Sequence, residues 1–166
     1  MARSKEFLRN RDIDWAVKIG NNFIHVASAG GDLPKIVDDH LLEIWRELKE
    51  TRNFEVSGEV VVNEEYIREK FSDLRGVSDD EARLSIEWYL CSFVEMARRG
   101  FYSFDRDVRT LFDDSKYRLV ASPGKMRIEP EYIFPAVEIE MEPEELDGMD
   151  LVRLIDENTN ESIFER

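Results

Sequence analysis

Apolar and polar positions alternate from Trp15 to Ala27 as in a β-hairpin. Trp15, Val17 and Ile19 are separated by Ala16 and Lys18, Gly20-Asn21-Asn22 offers a tight turn, and Phe23 to Ala27 continues as a second strand. The turn centres on Gly20-Asn21 or on Asn21-Asn22. Either register pairs residues whose numbers sum to an odd value, so Trp15, Val17, Ile19, Ile24 and Val26 share one face and Lys18, Phe23 and His25 the other.

Helical spacing takes over after the loop Ser28–Pro34. Val37, Leu41, Ile44 and Leu48 recur along one stripe, flanked by Ile36 and Trp45, and predict a helix over 35–50. A short strand is expected over 55–62, and Asn63 is a good N-cap for a helix carrying Tyr66, Ile67, Phe71 and Leu74. Ser78 with Glu81 three residues later forms a capping box, and Gly100 closes the helix it opens, after Arg98 and Arg99. The second half of that helix is apolar nearly all round (Trp88, Tyr89, Leu90, Cys91, Phe93, Val94, Met96, Ala97), which predicts cover on more than one side and a place at the hub of the core.

Residues 101–112 read as an aromatic-rich connection with one short helix around Val108, Leu111 and Phe112. Phe101, Tyr102 and Phe104 in it are expected in the core. Strands are expected over 117–121 and 126–128, around the turn Ser122-Pro123-Gly124-Lys125. From Ala136 to Glu142, Val137, Ile139 and Met141 alternate with Glu138, Glu140 and Glu142. Pro143 then starts a helix, with Glu144 and Glu145 in its first turn and Gly148 weakening it. These elements predict an α+β fold: a mainly antiparallel sheet of four to six strands packed against three or four helices. A single domain over 13–157 is expected between an N-terminal segment (1–12) and a loose tail (158–166).

Charge changes the picture most. The chain of 166 residues has a net charge of −14. From Glu129 to Arg166 there are 13 acidic residues against Arg153 and Arg166, a net of −11, while residues 1–128 hold 24 acids and 21 bases, a net of −3. Such a balance repels phosphate backbones and anionic bilayers, so neither direct nucleic-acid binding nor membrane binding is expected. With a single cysteine, internal disulfides, Cys-rich zinc modules and paired-cysteine redox sites are excluded. No apolar run follows the basic residues near the start, and none approaches the roughly 20 residues that cross a bilayer. A cytoplasmic location is the resulting expectation.

Candidate chemistry is sparse. Gly30, Gly31 and Asp32 lie between a strand and an expected helix start at Lys35, where free amides can hold an anion, but neither a P-loop nor a dinucleotide fingerprint is present. Loop glycines more often serve a tight turn, with Asp32 as a cap. His25, Ser28 and Asp32 are the candidate acid–base and nucleophile set, though three common residue types within eight positions are weak grounds for a triad. Lys18 would lower the proton affinity of His25 if the two were cross-strand neighbours. His40, with Asp38, Asp39 and Glu43 nearby, supplies one histidine and at most one carboxylate on a helix flank, so no metal site is expected. Glu138 and Glu140 stand about 7 Å apart on a strand face, a spacing that paired acids use in glycoside hydrolysis, yet any solvent-facing strand shows the same alternation. Cys91, within an apolar stretch, is expected to be buried and inert, and no cofactor is expected.

Two functions follow. The first is a non-enzymatic interaction or regulatory protein, of bacterial or phage type, that binds a basic protein partner through Glu138, Glu140, Glu142, Glu144 and Glu145, in the manner of an inhibitor covering a nucleic-acid-binding site. The alternative is a small enzyme or anionic-ligand-binding domain with its site at the hairpin-to-helix junction, built from His25, Ser28, Gly30, Gly31, Asp32 and Lys35. A third reading gives the acidity to solubility alone and leaves an apolar surface for self-association.

Overall fold

The computed structural model describes residues 13–37, 41–43, 45–46, 59–74, 76–108, 116–124 and 134–159. The hairpin forms as the alternation requires. Strands β1 (Asp14–Ile19) and β2 (Asn22–Ala27) pair antiparallel with Trp15 opposite Val26 and Ile19 opposite Asn22, so the turn centres on Gly20-Asn21. Gly20 takes a φ of +57°, which an L side chain resists. Lys18 pairs with Phe23, while His25 pairs with Ala16, so Lys18 does not stand directly opposite His25.

Four further strands complete one sheet: β3 (Val60–Val62), β4 (Phe101–Arg106), β5 (Tyr117–Pro123) and β6 (Ala136–Val137), in the order β3-β5-β4-β2-β1-β6. The fold is α+β, with a mixed rather than purely antiparallel sheet. β1–β2, β4–β5 and β3–β5 are antiparallel, whereas β2–β4 and β1–β6 are parallel. The expected connection at 101–112 thus begins as a central strand. β4 carries no alternating pattern because its first five residues are all buried, which is the signature of a strand covered on both faces.

The helices are α1 (Glu64–Lys70), α2 (Asp79–Arg98) and α3 (Leu151–Asn158), with helical residues at 41–43 and 45–46 and a 3-10 turn at Pro143–Leu146. Both sequence-assigned caps form: the Asn63 side chain accepts from the Tyr66 amide at 3.2 Å and that of Ser78 from the Glu81 amide at 3.2 Å. Residues 35–36 are a turn, not the first turn of a helix. The single helix expected after Pro143 is two elements, because Gly148 at φ +85° breaks it and Asp150 caps α3 anew. The readings at 55–58, 109–112, 126–128 and His40 lie outside the described residues.

Strand pairing sorts the core into two layers. Trp15, Val17, Ile24, Val26, Tyr102, Phe104 and Tyr117 share one face, on which Tyr117 meets α3 across a groove. Ala16, Phe23, His25, Phe101, Ser103 and Asp105 share the other, which Trp45, α1 and α2 cover. The hub expectation for α2 fails. Phe93, Met96 and Ala97 are buried, but Trp88 is 86 % exposed and Leu84 58 %, with Cys91 exposed beside them. The helix packs by one stripe and leaves its other side bare.

At the β3–β5 corner, a Cβ on Gly124 would lie 2.0 Å from the Glu59 carbonyl oxygen. Gly124→Ala is therefore expected to destabilise the fold by about 1–3 kcal/mol, through forced separation of the two strands. Gly76→Ala has open space but a φ of +80°, and so carries backbone strain alone. Urea unfolding of the two variants checks the ranking.

Candidate functional site

The hairpin-to-helix junction does not bring its candidate residues together. Ser28 is buried, with its hydroxyl accepting from the Ile13 amide at 3.0 Å and its carbonyl from the Gly31 amide at 2.8 Å. Ala29 and Gly30 both have positive φ, and Gly31 lies under Arg106, whose Cδ would sit 2.8 Å from an added Cβ. These glycines let the loop pass closely beneath the Arg106 side chain, whose Nη1 donates to the Ala29 carbonyl at 3.3 Å.

Asp32 and Lys35 line a groove of about 410 Å³ between this loop and α3, together with Tyr117, Asp150, Arg153 and Asp156. The Lys35 amide, the donor expected for an anionic ligand, already donates to the Asp156 carboxylate at 2.8 Å. With Glu157 also on its wall, the groove holds four carboxylates against two cations, a field that repels anions.

His25 points to the opposite face and is wholly buried. Its Nδ1 is 2.5 Å from the Ser103 hydroxyl and its Nε2 is 3.1 Å from an Asp14 carboxylate oxygen. An ionised Asp14 accepts from Nε2–H, which leaves Nδ1 to accept the Ser103 proton. The ring stacks on Trp45 at 5.1 Å and 17°, with Phe93 at 6.2 Å.

Serine, histidine and aspartate thus follow one another as in acyl-transfer enzymes, but through the opposite ring nitrogens, and the exposure also runs the opposite way. Asp14 is the end nearer solvent, with its side chain 17 % exposed, whereas Ser103 is fully buried in mid-strand. A nucleophile must meet a substrate carbonyl, and this hydroxyl meets sheet and aromatic rings. What the relay does is tie β1, β2 and β4 together while satisfying every polar atom of a buried imidazole.

One row along the same face lies a second polar group. Asp105 pairs in register with Ala27, which in turn pairs with Asp14. Its carboxylate accepts from the Tyr89 hydroxyl at 2.5 Å and lies 3.6 Å from Lys70 Nζ. Burial, and then the neighbouring Asp105, push the Tyr89 phenol well above its ordinary value. Tyr117 is raised as well, by burial first and by Asp150 and Asp32, against an opposing effect of Arg106.

Ser103, Asp14, Tyr89 and Asp105 were missed as site residues. His25 and Ser103 are 78 positions apart, and only the parallel β2–β4 pairing places them side by side.

The acidic C-terminal part divides in two. Asp147 accepts from Arg118 Nε at 2.9 Å, Asp156 holds the Lys35 amide, and Glu157 pairs with Arg153 at 2.8 Å. Glu138, Glu140, Glu142, Glu144 and Glu145 are all exposed and have no cationic partner among the described residues. Their backbone is fixed by buried Val137, Pro143 and Leu146, and the Glu142 amide donates to the Glu145 carboxylate at 2.7 Å.

No family model matches the chain, and neither a curated protein nor a solved structure shows significant similarity to it. Among the described residues no group of three or more His, Cys, Asp or Glu side chains is placed to hold a metal ion, and no helix is long and apolar enough to cross a membrane.

His25→Ala is expected to cost about 3 kcal/mol, because it opens a cavity beside Trp45 and removes the imidazole that answers the buried Ser103 hydroxyl; denaturant unfolding measures this. In alkaline titration, both states keep the Tyr89 and Tyr117 protons below the ordinary phenol value of about 10. Above it the unfolded chain releases them while the fold retains them, so stability falls as pH rises. The phenolate absorbance of these two of the five tyrosines is expected to appear only as the chain unfolds.

Proposed function

We propose that the protein is a non-enzymatic interaction module that docks a partner with a basic surface onto Glu138, Glu140, Glu142, Glu144 and Glu145. The observation that carries this reading is that five exposed carboxylates on an eight-residue segment find no cation among the described residues, although Arg118 and Arg153 neutralise acids close by in the chain. Anchoring by Val137, Pro143 and Leu146 reduces the ordering cost that a floppy acidic tail would pay on binding. Such a surface speeds encounter with a cationic partner and loses that advantage in salt. A nucleic-acid-binding protein whose basic site is covered in this way is the concrete partner class. The acidic groove at Asp32 and Lys35, with its amide already taken, gives no comparable support to binding of an anionic ligand.

Truncation is the wrong test, because Leu146, Leu151 and Ile155 are wholly buried and belong to the core. Charge-neutral replacement of the five glutamates by glutamine leaves that core intact. The wild-type chain is expected to retain a basic protein from its native lysate at low salt and release it at high salt, and the glutamine variant to retain at least about ten-fold less. A partner held equally by both chains, or no retained partner at low salt, overturns the reading.

A further inference from the structure

The bare side of α2 is ordered in a way that a solvated helix face does not require. Glu81, Leu84, Trp88, Cys91, Glu95 and Arg98 are all exposed and alternate in steps of three and four, the spacing of a two-helix seam. Phe93 lies nearly opposite on the helical wheel and carries the contact with the sheet. The apolar members occupy the middle of the stripe, an acid lies at its N-terminal end and a base at its C-terminal end.

We infer that this stripe is the contact through which two copies of the chain associate, with their α2 helices antiparallel about a two-fold axis between Trp88 and Cys91. In that register Trp88 of each copy meets Cys91 of the other, and Glu81 meets Arg98 at both ends of the seam. Leu84 lies against the stem of Glu95, whose carboxylate is turned aside to Arg99 at 2.8 Å. Ser85 and Ser92, both exposed, flank the stripe on one side without charge, and in the antiparallel register the exposed Glu87 on the other side comes level with Ser92 of the second copy rather than with another acid. A parallel arrangement would oppose Glu81 to Glu81 and Arg98 to Arg98 and align the two helix dipoles, so charge selects the antiparallel one. α2 covers β3, β4 and β5, while the acidic segment starts from β6 at the far edge of the sheet and ends in the 3-10 turn against β5; the inference does not rest on the role proposed for that segment.

The stripe is a single helix face, at the small end of specific interfaces, and its association is therefore reversible and concentration-dependent. Sedimentation equilibrium of the full chain at about 0.15 M salt, where screening acts over roughly 8 Å, is expected to show a mass rising with concentration toward twice 19.5 kDa. Over the same range the emission of Trp88, the exposed tryptophan beside buried Trp15 and Trp45, is expected to move to shorter wavelength. Trp88→Lys changes a side chain that is 86 % exposed, and it is expected to leave the circular dichroism unchanged while keeping the chain monomeric. Glu81→Arg or Arg98→Glu alone is expected to weaken association at least about ten-fold, and the two together to restore it to within about three-fold. A mass that stays at one chain up to about millimolar concentration overturns the inference. A dimer indifferent to Trp88→Lys, which has docked through another surface, overturns it equally, as does a double variant no tighter than the single ones.

Discussion

Covering a sheet on both faces removes water from its central strands, and every polar group on those strands must then be matched from within. β1, β2 and β4 obey this constraint side by side. Their apolar residues fill two layers, and Asp14, His25, Ser103 and Asp105 fall into two neighbouring rows on one face, Ala16–His25–Ser103 and Asp14–Ala27–Asp105. The Asp14–His25–Ser103 relay is thus a condition of the fold, since the wholly buried His25 ring and Ser103 hydroxyl satisfy each other there. Trp45 and Phe93 close over the imidazole and make the helical layer depend on the same arrangement.

The same layering separates two kinds of surface. One is charged, on a segment that leaves the sheet at β6 and is pinned by Pro143 and Leu146. The other is apolar, on the outward side of α2. Both are held by buried residues of their own element, so neither requires the partner to impose a conformation. The groove at the hairpin-to-helix junction differs in kind. Its amide donor is satisfied internally by Asp156, and its walls carry mixed charge with an excess of carboxylates.

What could be read from the residues followed from local periodicity and caps. Period-two alternation placed the β1–β2 hairpin and its faces, and Asn63 and Ser78 marked the starts of α1 and α2, because these signals act between residues close in the chain. β4 was illegible for the converse reason: a strand buried on both sides has no alternation, and Phe-Tyr-Ser-Phe-Asp reads as a generic apolar run. With β4 went the parallel pairings and, through them, the neighbours of His25. The composition of α2 suggested burial all round, but the sheet offered one face to lie on, and Trp88 was left outside. The break at Gly148 was legible as a weakness in a helix, and the structure turned that weakness into a boundary between two elements.

The hydrogen bond from the Lys35 amide to Asp156 spans 121 residues, and β6 joins β1 across a comparable length of chain. During synthesis the N-terminal hairpin therefore emerges from the ribosome long before the strand at its outer edge and the helix against its loop exist. Until then its edge amides and its apolar face have only water or other proteins to meet. Completion of this fold waits for residues 136–156, and the hairpin is the part that nascent-chain chaperones would have reason to hold.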